Sequence, residues 1–264
     1  MKKNLLLLVA FISSVLIGYS QKNEEVIISS VSGIGYDDCV SVAREKALTD
    51  AKKTALQKAG ISEDINAYSD LFKSETTGNY QELFASSVFT NIRGNVSNVE
   101  VLQEKLSITG EKIAKCELEI SCKVIKFNSM PDNMYKAEIN GLKAFYIVGE
   151  NLNWSVMVTK DSWMYTFCIP QDQDEAYFLF PNELEKEFNL EKEKIYDFPK
   201  NVTYTQTLES EYEQTDRLIF VFTKEKYPYT GEITYKNICD WIFSIEPDQR
   251  VVYSYAVAIF PKPQ

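Results

Sequence analysis

Polar and apolar positions along this chain change rhythm several times, and each rhythm predicts an element. Residues 5–17 are apolar but for two serines. Residues 26–31 read as a short strand, closed by the break at Gly33-Ile34-Gly35. Val40, Ala43, Ala47, Ala51, Ala55 and Ala59 follow at spacings of three or four, one stripe of an α-helix. Asp37 or Asp38 stands where a cap belongs, and Gly60 where the helix must stop. A stripe made of alanine lets the helix backbone come close to its neighbour, so the helix is expected to lie on a sheet. Its other side mixes Arg44, Lys46, Lys52, Lys53 and Lys58 with Glu45 and Asp50 and reads as a solvated face.

Two more helical stretches are expected at residues 65–72 and 80–91, either side of Gly78. Extended runs at 92–108 and 112–127 turn at Thr109-Gly110-Glu111. In the second run Cys116, Leu118, Ile120, Cys122 and Val124 alternate with Glu117, Glu119, Ser121 and Lys123, the period of a strand with one dry and one wet face. A polar, proline-containing stretch at 128–133 and the turn signal Asn140-Gly141 bracket a change in composition. From Phe145 onward 24 of 120 residues are Phe, Tyr or Trp, so this part must bury many rings. Short β-rich runs recur there at 144–148, 154–159, 163–169, 176–180, 194–198, 202–208, 217–223 and 251–260, the spacing of an antiparallel sandwich. A short helix over 235–244 places Ile238, Trp241, Ile242 and Ile245 on one side. The pattern predicts an α+β protein: a leader at 1–20, an N-terminal helix-on-sheet domain at 21–130, and an antiparallel β-sandwich-like domain with one short helix at 141–264.

Lys2 and Lys3 before the apolar run, and Gly18-Tyr19-Ser20 after it, give residues 1–20 the form of a signal peptide, with the mature chain starting near Gln21. The run is shorter than the roughly 20 apolar residues a spanning helix needs. No cysteine stands at the junction to carry a lipid. The expected localisation is periplasmic or secreted, with no stable membrane insertion after leader cleavage. The chain holds 28 Lys+Arg against 38 Asp+Glu, a net charge of −10; without the two leader lysines it is 26 against 38, or −12. Such a chain repels phosphate backbones and anionic lipid, so nucleic acid is not an expected partner.

The chain has no histidine, which removes Ser-His and Cys-His pairs and leaves zinc only cysteines and carboxylates. Its five cysteines are scattered singly. Cys116 and Cys122 sit in one strand at a separation of roughly 20 Å, too far to join. A bridge from Cys39 to one of them, or from Cys168 to Cys239, stays open beside the preferred reading of buried free thiols. Cys39, in the first turn of a helix, has its thiolate favoured by the helix dipole but no basic partner in view. Glu117 and Glu119 share a wet face about 7 Å apart, a distance at which two carboxylates work as acid and base, yet nothing indicates a cleft there. Asp172, Asp174 and Glu175 lack the glycine and distal glutamate of a calcium loop and read as a solvated turn. No catalytic residue, metal-ligand set or cofactor site is expected. Pro181-Asn182 reads as a structural stop, because proline ends strand pairing and asparagine starts a turn. Trp154, Trp163 and Tyr165 are the candidate contact residues for a ligand or partner, provided they line one exposed face; core packing is the competing reading.

Two family resemblances add to this. Ala-Arg-Glu-Lys-Ala-Leu-Thr-Asp-Ala-Lys-Lys-Thr-Ala-Leu at 43–56, Ile92-Arg93-Gly94 opening a strand, and the long strand at 113–127 resemble the N-terminal domain of the flagellar assembly protein FlgT and related small surface lipoproteins. Trp163-Met164-Tyr165-Thr166-Phe167-Cys168-Ile169, Ala176-Tyr177-Phe178-Leu179-Phe180-Pro181-Asn182, Ile195-Tyr196-Asp197-Phe198-Pro199 and Arg217-Leu218-Ile219-Phe220-Val221-Phe222-Thr223 resemble the domain of unknown function numbered 4384. The first resemblance implies a helix packed on a small sheet in an exported protein, used for assembly or surface presentation. The expectation is therefore an exported, non-catalytic envelope protein acting in protein–protein interaction or assembly, its partner an envelope protein. The alternative is a glycan- or small-ligand-binding module using exposed aromatics of the C-terminal domain.

Overall fold

The computed structural model describes residues 23–61, 93–109, 112–170, 176–208 and 212–262. The predicted leader, the helical stretches at 65–72 and 80–91, and the acidic turn at 171–175 lie outside them. The α+β class is as expected. A three-stranded antiparallel sheet is built from β1 (Glu24–Asp37), β2 (Gly94–Ile108) and β3 (Ala114–Lys126) in the order β1-β3-β2, with α1 (Val40–Lys58) across one face. In β3 every second residue from Ala114 to Val124 is buried under α1, as its period-two pattern requires.

The Gly33-Ile34-Gly35 segment, expected to break the chain, lies inside β1 instead. Its glycines serve the approach of α1. A Cβ on Gly35 would stand 2.5 Å from the Ala47 nitrogen, and one on Gly33 2.8 Å from the Ala51 Cα. Glycine in one element and alanine in the other bring backbone onto backbone. Nor does either predicted aspartate cap α1. The N-cap is Cys39, with no side-chain cap bond; Asp37 accepts from the Cys39 N–H and pairs with Lys46 at 2.6 Å. Gly60, at φ +80, ends the helix as expected.

The second half begins earlier than its aromatic composition. β4 (Ala137–Asn140) pairs with β7 (Trp154–Val158), which also takes β10 (Ile195–Phe198), giving the order β10-β7-β4. A five-stranded sheet runs β5-β13-β12-β8-β9 from β5 (Phe145–Ile147), β8 (Trp163–Ile169), β9 (Tyr177–Phe180), β12 (Gln214–Thr223) and β13 (Arg250–Phe260). β6 (Asn151–Leu152) and β11 (Tyr204–Thr205) form a small third sheet. The run expected as a strand over 202–208 shrinks to those two residues of β11.

Between the five-stranded sheet and the smaller ones lies a core of Trp154, Val156, Val158, Leu218, Phe220 and Phe222. The other face of the same sheet packs against α2 (Tyr235–Ser244), whose Ile238, Cys239, Ile242 and Phe243 are buried. β12 is therefore covered on both faces, the physical reason for its continuous run Leu218-Ile219-Phe220-Val221-Phe222. The α2 cluster is continuous with Ala51, Ala55, Leu56 and Ile120 beneath α1, so apolar residues of both halves share one core. Among the described residues no helix is long and apolar enough to cross a membrane.

Candidate functional site: an open sheet edge and a cleft in the sandwich

The aromatic residues singled out from the sequence do not form a surface. Trp154 is 2% exposed; its ring stacks on Phe198 and Tyr204 and meets Phe220 edge-on. Tyr165 is 1% exposed, accepts from the Tyr227 N–H, and is pushed up to about 12 by burial. Trp163 is half-buried beneath the Lys226 ammonium, 5.2 Å from its ring centroid. Trp154 and Trp163 belong to two different apolar clusters, one on each side of the five-stranded sheet. Strand alternation sends them there, and neither Trp154 nor Tyr165 offers a face to a sugar ring.

The other residues weighed from the sequence separate as follows. Glu117 is bound by Lys115, which holds its carboxyl below the usual range, while Glu119 accepts from the Ser30 hydroxyl. The two carboxylates thus serve different partners on the open face of the sheet. All five cysteines are free thiols. Cys39 is exposed, and contacts with the Ser41 hydroxyl and the Val42 and Ser41 N–H groups lower its thiol value. Burial raises those of Cys116, Cys122 and Cys168. Among the described residues no group of three or more Cys, Asp or Glu is gathered to hold a metal. Asn182 accepts from the Leu184 and Glu185 N–H groups at 2.8 Å each and donates to the Leu179 carbonyl and Tyr204 hydroxyl, which is the work of a turn.

Two features that sequence reasoning did not single out stand out in the structure. The first is the outer half of β2. Val101, Leu106 and Ile108 pair with Ile120, Cys116 and Ala114, so they share the face on which α1 lies. The helix lies mainly over β1 and β3, however, and an Arg44–Glu104 ion pair at 3.1 Å joins it to β2. Val101, Leu102 and Leu106 are about half exposed, and Ile108 is 74% exposed. β2 is also an edge strand, with no described strand on its far side. Sequence alone cannot reveal this, since the same apolar residues would suit a covered strand.

The second is a cleft of about 460 Å³ at one end of the sandwich, between β8, β9 and β12 on one side and residues 203–207 on the other. Leu152, Leu179 and Tyr204 give it an apolar wall; Gln214, Asp216 and Cys168 give it a polar one. Gln214 and Asp216 are only 9% and 8% exposed. The Gln214 amide donates to Asp216 at 2.6 Å, and the Cys168 thiol lies 3.9 Å from the same carboxylate. The sequence signal for this site is the alternation Gln214, Asp216, Leu218, Phe220, Phe222, which places the polar pair on the core face of β12.

No family model matches the chain, and no curated protein matches it. Among solved structures it is similar to the crystal structure of Spo0M, a sporulation control protein from Bacillus subtilis, at 11% identity and a TM-score of 0.25. That match covers 50% of this chain and 51% of the other. A superposition of that quality carries no argument about fold or role.

Proposed function

We propose that this is an exported, non-catalytic protein of the cell envelope that works by docking a protein partner, and that the partner meets the outer half of β2. The observation that carries the reading is the coincidence of a strand edge with no described strand beside it and the exposed residues Val101, Leu102, Leu106 and Ile108. Soluble proteins guard such edges with lysine, proline or a covering element. Here Lys105 is the one basic residue in the strand. A partner strand would satisfy the backbone groups of the edge, and apolar side chains beside it would cover the stripe. Covering these partly exposed aliphatic groups contributes about 1 kcal/mol each.

The test compares capture from a solubilised envelope fraction by immobilised mature protein and by Leu106→Lys/Ile108→Lys. The expected result is a defined set of proteins held by the wild type and lost from the double variant, whose far-UV circular dichroism is unchanged. Identical capture by both proteins would refute docking at β2. Export is checked separately, by N-terminal sequencing of protein recovered from the periplasm or the medium, with Gln21 expected near the start.

A further inference from the structure

Three aromatic side chains converge on one cation beside the sheet β10-β7-β4. Tyr196 and Phe198 stand two apart on β10 and so share a face. Phe188, from the loop before β10, packs against both, its ring 5.4 Å from that of Tyr196 and 6.1 Å from that of Phe198. The Lys200 ammonium lies 4.7 Å from the Phe188 ring centroid, 5.5 Å from Tyr196 and 5.8 Å from Phe198. All three distances are within the roughly 6 Å reach of a cation–π contact. Every other lysine or arginine placed over a ring among the described residues meets a single ring, as Lys143 does over Tyr146 at 5.4 Å.

The rings are held in place by contacts of their own. Phe198 is 2% exposed, stacked on Trp154 at 5.8 Å and met edge-on by Phe180 at 4.9 Å. The Tyr196 hydroxyl accepts from the Glu191 N–H at 3.1 Å. The base of Lys200 is fixed as well, because the buried Glu185 carboxylate accepts its N–H and, at 2.6 Å, that of Asn201. Lys200 itself is exposed, so its side chain closes the cage from the solvent side.

We infer that the cage of Phe188, Tyr196 and Phe198 binds the trimethylammonium group of a small choline-type compound, and that the Lys200 ammonium is a resident occupant which the compound displaces. A primary ammonium is a compact, strongly hydrated charge with three donors, and ring faces replace its water poorly. A trimethylammonium group spreads the same charge over methyl groups, has no N–H to satisfy, and fills the space between several rings; aromatic cages are its characteristic receptors. Lys200 regains rotamer freedom on leaving, which favours the exchange. The net charge of −10 favours the approach of a cation. The cage shares no residue with β2, so this site is independent of the docking surface.

Saturation-transfer difference NMR on the purified protein tests the inference, with tetramethylammonium, choline and the neutral carbon analogue of choline as probes. Both cations are expected to give signal at millimolar concentration and the neutral analogue to bind about tenfold more weakly. The dissociation constant for tetramethylammonium should fall about threefold in Lys200→Ala, which removes the competing occupant. It should rise about tenfold in Tyr196→Leu and in Phe188→Leu, which keep apolar bulk and remove the ring, and stay unchanged in Lys143→Ala. Lys200→Ala keeps the test decisive if a ring variant does not fold, because Lys200 stands at the surface. Absence of signal from both cations with wild type and Lys200→Ala, equal binding of the neutral analogue, or an affinity that is the same in all three cage variants would overturn the assignment. Flotation with phosphatidylcholine vesicles separates two sources of the same group: retention on vesicles that choline reverses assigns a lipid headgroup, and its absence assigns a free compound. Leu106→Lys/Ile108→Lys should bind tetramethylammonium normally, so failure of the docking reading and failure of this one give different results.

Discussion

Adding one methyl group to Gly33 or Gly35 should damage this fold more than removing several from its surface. A Cβ on Gly35 would sit 2.5 Å from the Ala47 nitrogen, and one on Gly33 2.8 Å from the Ala51 Cα, against the 3.0 Å that side-chain carbons do not cross. The obstructing atoms are helix backbone, so no rotamer change relieves the clash. Relief requires α1 to lift from the sheet by about 1 Å, a gap at which contacts forfeit a quarter to a half of their dispersion energy. Ala43, Ala47, Ala51, Ala55 and Leu56 all lose contact together. Overpacking of a close-packed core costs about 1–3 kcal/mol and more where backbone must move. Glycine-to-alanine replacement returns about 0.4–1 kcal/mol through the unfolded chain. The expected net loss is about 2–3 kcal/mol for Gly33→Ala and for Gly35→Ala, a large share of a typical domain's total stability. Urea unfolding followed by far-UV circular dichroism reads it as a lowered midpoint at constant slope. Gly231→Ala is the control: its added carbon would meet only the Tyr229 side chain, at 3.2 Å or more, and Asn237. If both sheet variants unfold within about 0.5 kcal/mol of the wild type, the shift expected of an ordinary surface change, the close-approach argument fails.

Two further outcomes follow from the electrostatics. Cys39 should alkylate with iodoacetamide ahead of the other four thiols, and its rate should rise at lower pH than that of free cysteine, because the Ser41 hydroxyl and adjacent N–H groups favour its thiolate. Peptide mapping of partially labelled native protein identifies the site, and first modification at Cys116, Cys122 or Cys239 would contradict the structure. Asp132 is held by Lys160 at 2.5 Å and Lys224 at 2.7 Å, which keep its carboxyl well below the ordinary carboxylate value. Its contribution is complete above the unfolded value of about 3.9 and fades as pH falls through the depressed folded value. The stability difference between wild type and Asp132→Asn should therefore be present at pH 6 and shrink below about pH 4; a difference that grows on acidification would reverse the assigned cause.

How much of the fold was legible depended on whether a residue's neighbours in sequence were also its neighbours in space. The alternation of β3 and the alanine stripe of α1 report faces that any packing partner must respect, and both elements were where the pattern placed them. Asp37 does not cap α1 because its carboxylate turns to Lys46 and the Cys39 N–H, contacts that depend on where β1 ends. β6 and β4 were missed because two- and four-residue strands exist only through the partners they find, β11 and β7.

By itself the sequence determined the α+β class, the absence of imidazole chemistry, the charge, and the division between an alanine-rich first half and an aromatic second half. Those properties are carried by residue type and by short-range periodicity, which no tertiary arrangement can change. Only the tertiary structure decided that the glycines of β1 are the seat of α1, that Trp154 and Tyr165 are core rings, that the outer half of β2 is exposed, and that Asp216 lies beside an opening. The reason is that exposure is a property of what lies across a gap. An aromatic residue in a strand, an apolar edge, or a carboxylate on a core face has the same local signature whether a partner covers it or not.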